Sequence, residues 1–267
     1  MKPGGDGALG AGRSPTRRFA LVACEIFYRE VCAVVARSRH RIDLEFLPKG
    51  LHDIGRSGMS ARVQDAVDRA SASRPEAVLL GYGLCNNGVV GLEARDVPLI
   101  IPRAHDCIAF FLGSHERYLE YFHGHPGVYF LTSGWIERAE VSGDLRQLSI
   151  EEATGMCLSY EELVAKYGED NAAFLGEELC NITRNYSQFT FIDMGVGPSA
   201  AFEEAVRAEA ARRGWRYEKI SGDWSLFERL ADGPWDENAF LTVPPGCRVG
   251  AEYAGRIIRV ELREKRA

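Results

Sequence analysis

The sequence has no run of about 18 apolar residues, the length a membrane-spanning helix needs, so no spanning helix is expected. It has no basic excess either. Lys and Arg number 32 against 38 Asp and Glu, a formal net charge of −6. Nothing therefore points to a general nucleic-acid binder, which must offer a basic face to the phosphate backbone, although a local basic patch stays open. The one basic cluster, Arg13 to Arg18, sits in the Gly-rich leader 1–18, which reads as disordered. That leader lacks the apolar middle of a secretory signal, so a cytoplasmic protein is expected. Closely spaced cysteine pairs are missing too. Without a C-x-x-C there is neither a zinc-knuckle signature nor the clustered thiols of a ferredoxin. The Gly-rich loop "GYGLCNNG" at 81–88 matches neither the dinucleotide G-x-G-x-x-G nor the phosphate-binding G-x-x-x-x-G-K.

What is present is ordinary globular composition, with 46% hydrophobic and 26% charged residues. A chain of 267 residues can bury a real core as one large domain or two small ones. Apolar runs alternate with helical patterns. Strands are expected at 19–26, 42–48, after Glu76, around "VPLIIPR" and at "GVYFLTSGWIE". Helices are expected at 27–37, at 108–122 with Phe111, Leu112, Leu119 and Phe122 inward, and around Met59, Val63, Ala66, Val67 and Ala70. These last five lie on one helical face. A helical insert is expected over 138–187, with one helix opening at the capping-box motif "SYEE" and another over 170–182. The early pattern then returns. Strands are expected at 189–197, "WRYEKI" and "NAFLTVPPG", with helices at 199–213 and "DWSLFERLADG" and a charged edge strand "RIIRVEL". Strands alternating with helices imply α/β architecture with a mostly parallel sheet. The expected plan is two Rossmann-like halves, 19–137 and 188–267, joined by the insert.

In such a sheet ligands bind beyond the carboxyl ends of the strands. Four of the seven cysteines fall there: Cys24, Cys85, Cys107 and Cys247. The other three, Cys32, Cys157 and Cys180, fall in helices, where cysteine is a small apolar residue. Cys24, Cys85, His105 and Cys107 could supply a zinc site, open with three ligands or closed with four. His105 and Cys107 share a side only while that segment stays extended. A reactive thiol site without metal, and plain core cysteines, remain alternatives. The loop "GYGLCNNG" offers Gly81, Gly83, Asn87 and Gly88 either for close backbone approach to a ligand or for a tight irregular turn. Asn86 and Asn87 suit the turn equally well. Asp106 could act as a general base, though Arg103 nearby offers it an ion pair. Asp193 could orient a ligand or a metal-bound histidine, or cap the next helix. Glu30 reads as a solvated helix residue, His123 and His125 as an exposed turn, and Trp135 and Trp215 as core.

The segments "ACEIFYREV", "LLGYGLCNNG", "IPRAHDCIAFFLGS", "GVYFLTSGWIE" and "LTVPPG" together resemble the bacterial and archaeal family designated domain of unknown function 1638, over about residues 19–247. Here Asn86 stands where the family loop usually has a glycine, and Glu25 where glycine usually follows the first cysteine. The second departure adjoins a candidate ligand and points to an altered pocket. The resemblance implies a cytoplasmic α/β protein associated with corrinoid-dependent methyl transfer and one-carbon metabolism. It also implies that Cys24, Cys85, His105 and Cys107 lie at the site. Three functions follow as expectations. The first is a zinc-dependent enzyme or enzyme subunit acting on a small molecule, with any corrinoid supplied through a partner protein. The second is a metal-free cysteine enzyme of racemase or lyase type. The third is a non-catalytic module that delivers a metal or ligand to a partner.

Overall fold

A computed structural model of the protein describes residues 16–85, 87–138, 185–252 and 256–262, together with positions 161, 164–165, 168–169 and 171–172. Asn86, Cys157, Cys180, the leader before residue 16 and nearly all of the expected helical insert lie outside the described residues.

The first sheet is built from β1 (Arg18–Cys24), β2 (Arg41–Leu47), β3 (Val78–Gly81), β4 (Leu99–Pro102) and β8 (Phe240–Val243). Its order is β2-β1-β3-β4-β8, parallel except for β8, which runs antiparallel to β4. β1 and β3 are buried along almost their whole length, which explains continuous apolar runs rather than alternation. The connections are α1 (Tyr28–Arg37) between β1 and β2 and α2 (Gly55–Ala72) between β2 and β3. α2 buries Met59, Val63, Ala66 and Val67, the face expected from the spacing.

A second sheet has the order β5-β6-β7, all parallel, from β5 (Val128–Thr132), β6 (Gln188–Asp193) and β7 (Arg216–Ser221). α6 (Ser199–Arg213) connects β6 to β7 and ends at Gly214, which takes the left-handed conformation. α7 (Ser225–Asp232) then leads to β8, back in the first sheet. β9 (Cys247–Ala251) and β10 (Ile258–Leu262) form a separate antiparallel hairpin. The architecture is thus mixed α/β with mostly parallel sheets, and strands β5 and β8 are exchanged relative to chain order.

Two local expectations fail for identifiable reasons. The helix expected over 108–122 is two helices, α3 (Cys107–Leu112) and α4 (His115–Gly124). Gly113 breaks it at a φ of +83°, and Ser114 caps α4 by accepting the Arg117 N–H at 3.2 Å. The break resets the helical phase. Phe111 and Leu112 are buried as expected, but Leu119 and Phe122 are exposed, and Tyr118 and Tyr121 face the core instead. The strand expected through Glu137 stops at Thr132, whose Oγ1 accepts the Trp135 N–H at 3.3 Å and opens α5 (Ser133–Glu137).

The main core reaches from the first sheet to Ile192 of the second and Met194 just beyond it, and a smaller cluster of Phe189, Phe191, Val206 and Ala210 packs the second sheet against α6. Phe27, Phe110, Phe111 and Phe227 are all buried. Their ring centroids lie 4.8 to 5.8 Å apart among the contacting pairs. Among the described residues no helix is long and apolar enough to cross a membrane.

Candidate functional site

Strand order in the first sheet reverses between β1 and β3: from β1 the sheet extends one way to β2, and from β3 the other way to β4. The crevice beyond the carboxyl ends at such a reversal is where open α/β sheets bind ligands. Cys24 is the last residue of β1, Cys85 follows β3, and Cys107 follows β4. All three line one cavity of about 40 Å³, together with Lys49, Tyr82 and Trp135. Ile26, Phe27, Leu51 and Met59 supply its apolar wall. The volume suits an ion with a water or small group, because a single water needs roughly 10–15 Å³ by this measure.

The loops are held in place by backbone bonds. Leu84 N–H donates to Ala104 O at 2.8 Å, and Cys85 N–H to His105 O at 3.2 Å. Gly83 permits this approach, since a Cβ there would lie 2.8 Å from the Asp106 backbone. Gly81 permits another, for its Cβ would sit 2.7 Å from the Ala23 Cβ. Gly88 leaves room for the Met59 sulfur. Asn87 adopts a φ of +61° and Cys85 one of +38°, so the loop is a tight irregular turn. Of the four loop residues expected to hold a ligand, Gly83 alone lines the cavity; Gly81, Asn87 and Gly88 shape the loop around it.

Asp106 also lines the cavity. Its Oδ1 accepts the N–H groups of Ile108 at 2.9 Å and Ala109 at 3.3 Å, capping α3 and fixing Cys107 in the first helical position. The turn into α3 ends the extended run, so His105 and Cys107 do not share a side. His105 is 59% exposed, lies 3.4 Å from Asp106 Oδ2, and is not among the cavity-lining residues. Asp193 ends β6 away from the cavity, where its Oδ1 accepts the Gly195 N–H at 2.8 Å and its Oδ2 pairs with Lys219 at 2.9 Å. Burial opposes its charge, but that N–H and the lysine outweigh burial and hold its carboxyl below the usual range. Cys247 opens β9 opposite Leu262 and does not line the cavity.

Three residues that the sequence did not assign to the site matter here. Trp135 packs against the core as expected, but it also lines the cavity, and its Nε1–H donates to Cys107 Sγ at 3.3 Å. Gly134 allows this, because α5 packs on the chain just after Cys24 and a side chain at Gly134 would strike the Ile26 carbonyl. Lys49 follows β2, and its Nζ lies 4.6 Å from the Trp135 ring centroid. Lys49 follows the end of a parallel strand, so the rule that found the cysteines could have found it. Tyr82 could have been read from its place between Gly81 and Gly83. Its hydroxyl is buried beside Cys24 without a hydrogen bond of good geometry.

Burial pushes the Cys24 and Cys85 thiols up to about 12, and the Cys107 thiol well above its ordinary value. Neighbouring sulfurs add to the rise at Cys85 and Cys107. All three are therefore protonated at neutral pH while no cation is bound. Iodoacetamide at about pH 8 is expected to label them at least about a hundredfold more slowly in the native protein than after unfolding. Peptide mass spectrometry against time measures this, and equal rates would contradict the burial. Among the described residues, no group of three or more His, Cys, Asp or Glu is arranged to hold a metal ion as it stands.

The family described as "Protein of unknown function (DUF1638)" matches residues 46–231, a span holding Cys85, His105, Asp106 and Cys107. The chain belongs to this family. The match is narrower than the 19–247 expected from the motifs, and Cys24 of this DUF1638 protein lies before it. Comparison with curated proteins and comparison with solved structures each gave no match.

Proposed function

We propose that the protein is a metal-binding enzyme or enzyme subunit in which Cys24, Cys85 and Cys107 hold a thiophilic ion, zinc first, in the service of one-carbon group transfer. The observation behind this reading is the meeting of three thiols, from three neighbouring strand ends, in one small cavity. Three protein ligands leave a fourth position for substrate or water. The site would lie between two Rossmann-like halves, one led by β1 and the other by β6, of a cytoplasmic protein.

Holding a metal there would require the three thiols to close on it and to lose their protons. Bound zinc would lower the pKa of a coordinated thiol or water and so supply a nucleophile at neutral pH. The chain's own groups do the rest. Asp106 and Trp135 fix Cys107, Lys49 offsets the negative charge of three thiolates around a divalent ion, and the apolar wall excludes water. A corrinoid ring is too large for a cavity of about 40 Å³, so a partner protein would have to present it from outside. Metal-free cysteine catalysis fits less well. A nucleophilic cysteine needs a lowered pKa, and burial raises all three here.

Elemental analysis of the purified, reduced protein is expected to give about one zinc per chain. The Cys85→Ser and Cys107→Ser variants should lose it, and Cys247→Ser should keep it. A protein that purifies without metal and takes up none from micromolar zinc would end this reading.

A further inference from the structure

Beside the thiol cavity lies a second, open cleft of about 480 Å³. The two share Asp106, Cys107 and Trp135 as a common wall. Six aromatic side chains line the cleft: Tyr118, Phe122, Tyr129, Phe130, Trp135 and Tyr186. Two of them leave much of their surface open, with Phe122 at 45% and Tyr129 at 41% exposure. Large aromatics held open at a cavity wall, rather than packed away, mark a place where something else is meant to cover them. The rings are ordered by one another. Tyr118 stacks on Phe122 with centroids 5.9 Å apart, and Tyr129 meets Tyr186 edge-on at 5.2 Å.

The charge of the wall narrows the occupant. Among the described lining residues none is Lys, Arg or His, and the one carboxylate is Asp106. An anionic ligand would find no cationic side chain among these lining residues. A cation would find aromatic rings, whose quadrupoles attract positive charge, and the Asp106 carboxylate on the wall shared with the thiol cavity. The protein already shows this chemistry at the shared wall, where Lys49 sits over Trp135. A volume of this size is ample for a small organic ion.

We propose that this cleft binds an organic cation of the quaternary or N-methylated ammonium class, next to the Cys107 thiol. The inference deepens the thiol-site reading and rests on it for its chemistry: an N-methylated cation held here lies against the wall behind which the three thiols meet. Its recognition rests on the aromatic wall and Asp106, not on a bound metal.

Choline and its uncharged isostere 3,3-dimethyl-1-butanol are the probes, titrated into the purified full chain by calorimetry with the metal content of each sample measured in parallel. Choline is expected to bind about tenfold more tightly than the isostere, the size of a cation–π contribution summed over a few rings. Phe122→Leu keeps apolar bulk and removes the ring at an exposed position, so folding should survive. It is expected to weaken choline about threefold and leave the isostere unchanged. Equal binding of the two probes, or no saturation by choline, would overturn the inference. So would a choline preference that Phe122→Leu leaves untouched, since the cation would then sit elsewhere. Metal at stoichiometry with no choline preference sinks this inference alone. Choline preference in a protein that takes up no zinc sinks the metal reading alone.

Discussion

Replacing Phe27 with alanine is expected to cost about 3–5 kcal/mol of folding stability, the range for removing a fully buried aromatic side chain. Phe27 is 1% exposed, and its ring touches those of Phe110, Phe111 and Phe227 within 5.2 Å. It follows Cys24 by three residues and forms part of the thiol cavity's wall. The loss therefore has a second consequence: the cavity gains the volume of the ring, and the apolar screen around the sulfurs opens. Chemical denaturation should show a lower midpoint with an unchanged slope. Phe27→Leu, which refills most of the space, should cost clearly less. A loss below about 1 kcal/mol for the alanine variant would mean that the Phe27 ring is not packed among Phe110, Phe111 and Phe227.

Glu30→Gln is expected to act in the opposite direction, raising stability by about 3 kcal/mol above pH 7 and by little below pH 4.5. The sequence suggested a solvated helix residue, but Glu30 is 1% exposed and its Oε2 has no hydrogen-bond partner. Burial first, and the nearby Glu137 carboxylate to a smaller degree, push its carboxyl from 4.5 up to about 7. Between those values the folded chain holds a proton that the unfolded chain has released. Stability is therefore fully present below about 4.5 and falls as pH rises through about 7. Glutamine keeps the shape and cannot ionise. Denaturation of both proteins across pH 4 to 8 measures the difference, and a gap that does not widen with pH would refute the buried charge.

The thiol cavity was legible because strand ends are legible. Pro48, Gly81 and the proline after Ile101 end apolar runs, and parallel strands put those ends on one edge, so Cys24, Cys85 and Cys107 could be placed together before any coordinates. His105 could not be placed in the same way. Whether it points with Cys107 depends on where α3 begins, and that is decided by the Asp106 carboxylate capping Ile108 and Ala109. The place of Trp135 at the cavity was not legible, because a Thr132 cap and a side-chain-free Gly134 turn an apparent strand into a helix aimed at the cavity. Glu30 was misread because an acidic residue early in a helix satisfies every local rule for exposure, and its burial follows only from what α1 packs against. Membership of β5 in the second sheet was equally illegible. Apolar periodicity identifies a strand but not its neighbours.

The exchange of β5 and β8 carries a practical meaning for anyone who would cut this protein in two. A fragment ending near Arg138 would carry β5 with no sheet to join and would leave the β4 edge bare of β8. The complementary C-terminal piece would hold β8 as an orphan and expose the flank of β6 that β5 normally covers. Uncovered strand edges invite self-association, so such halves are poor candidates for separate expression.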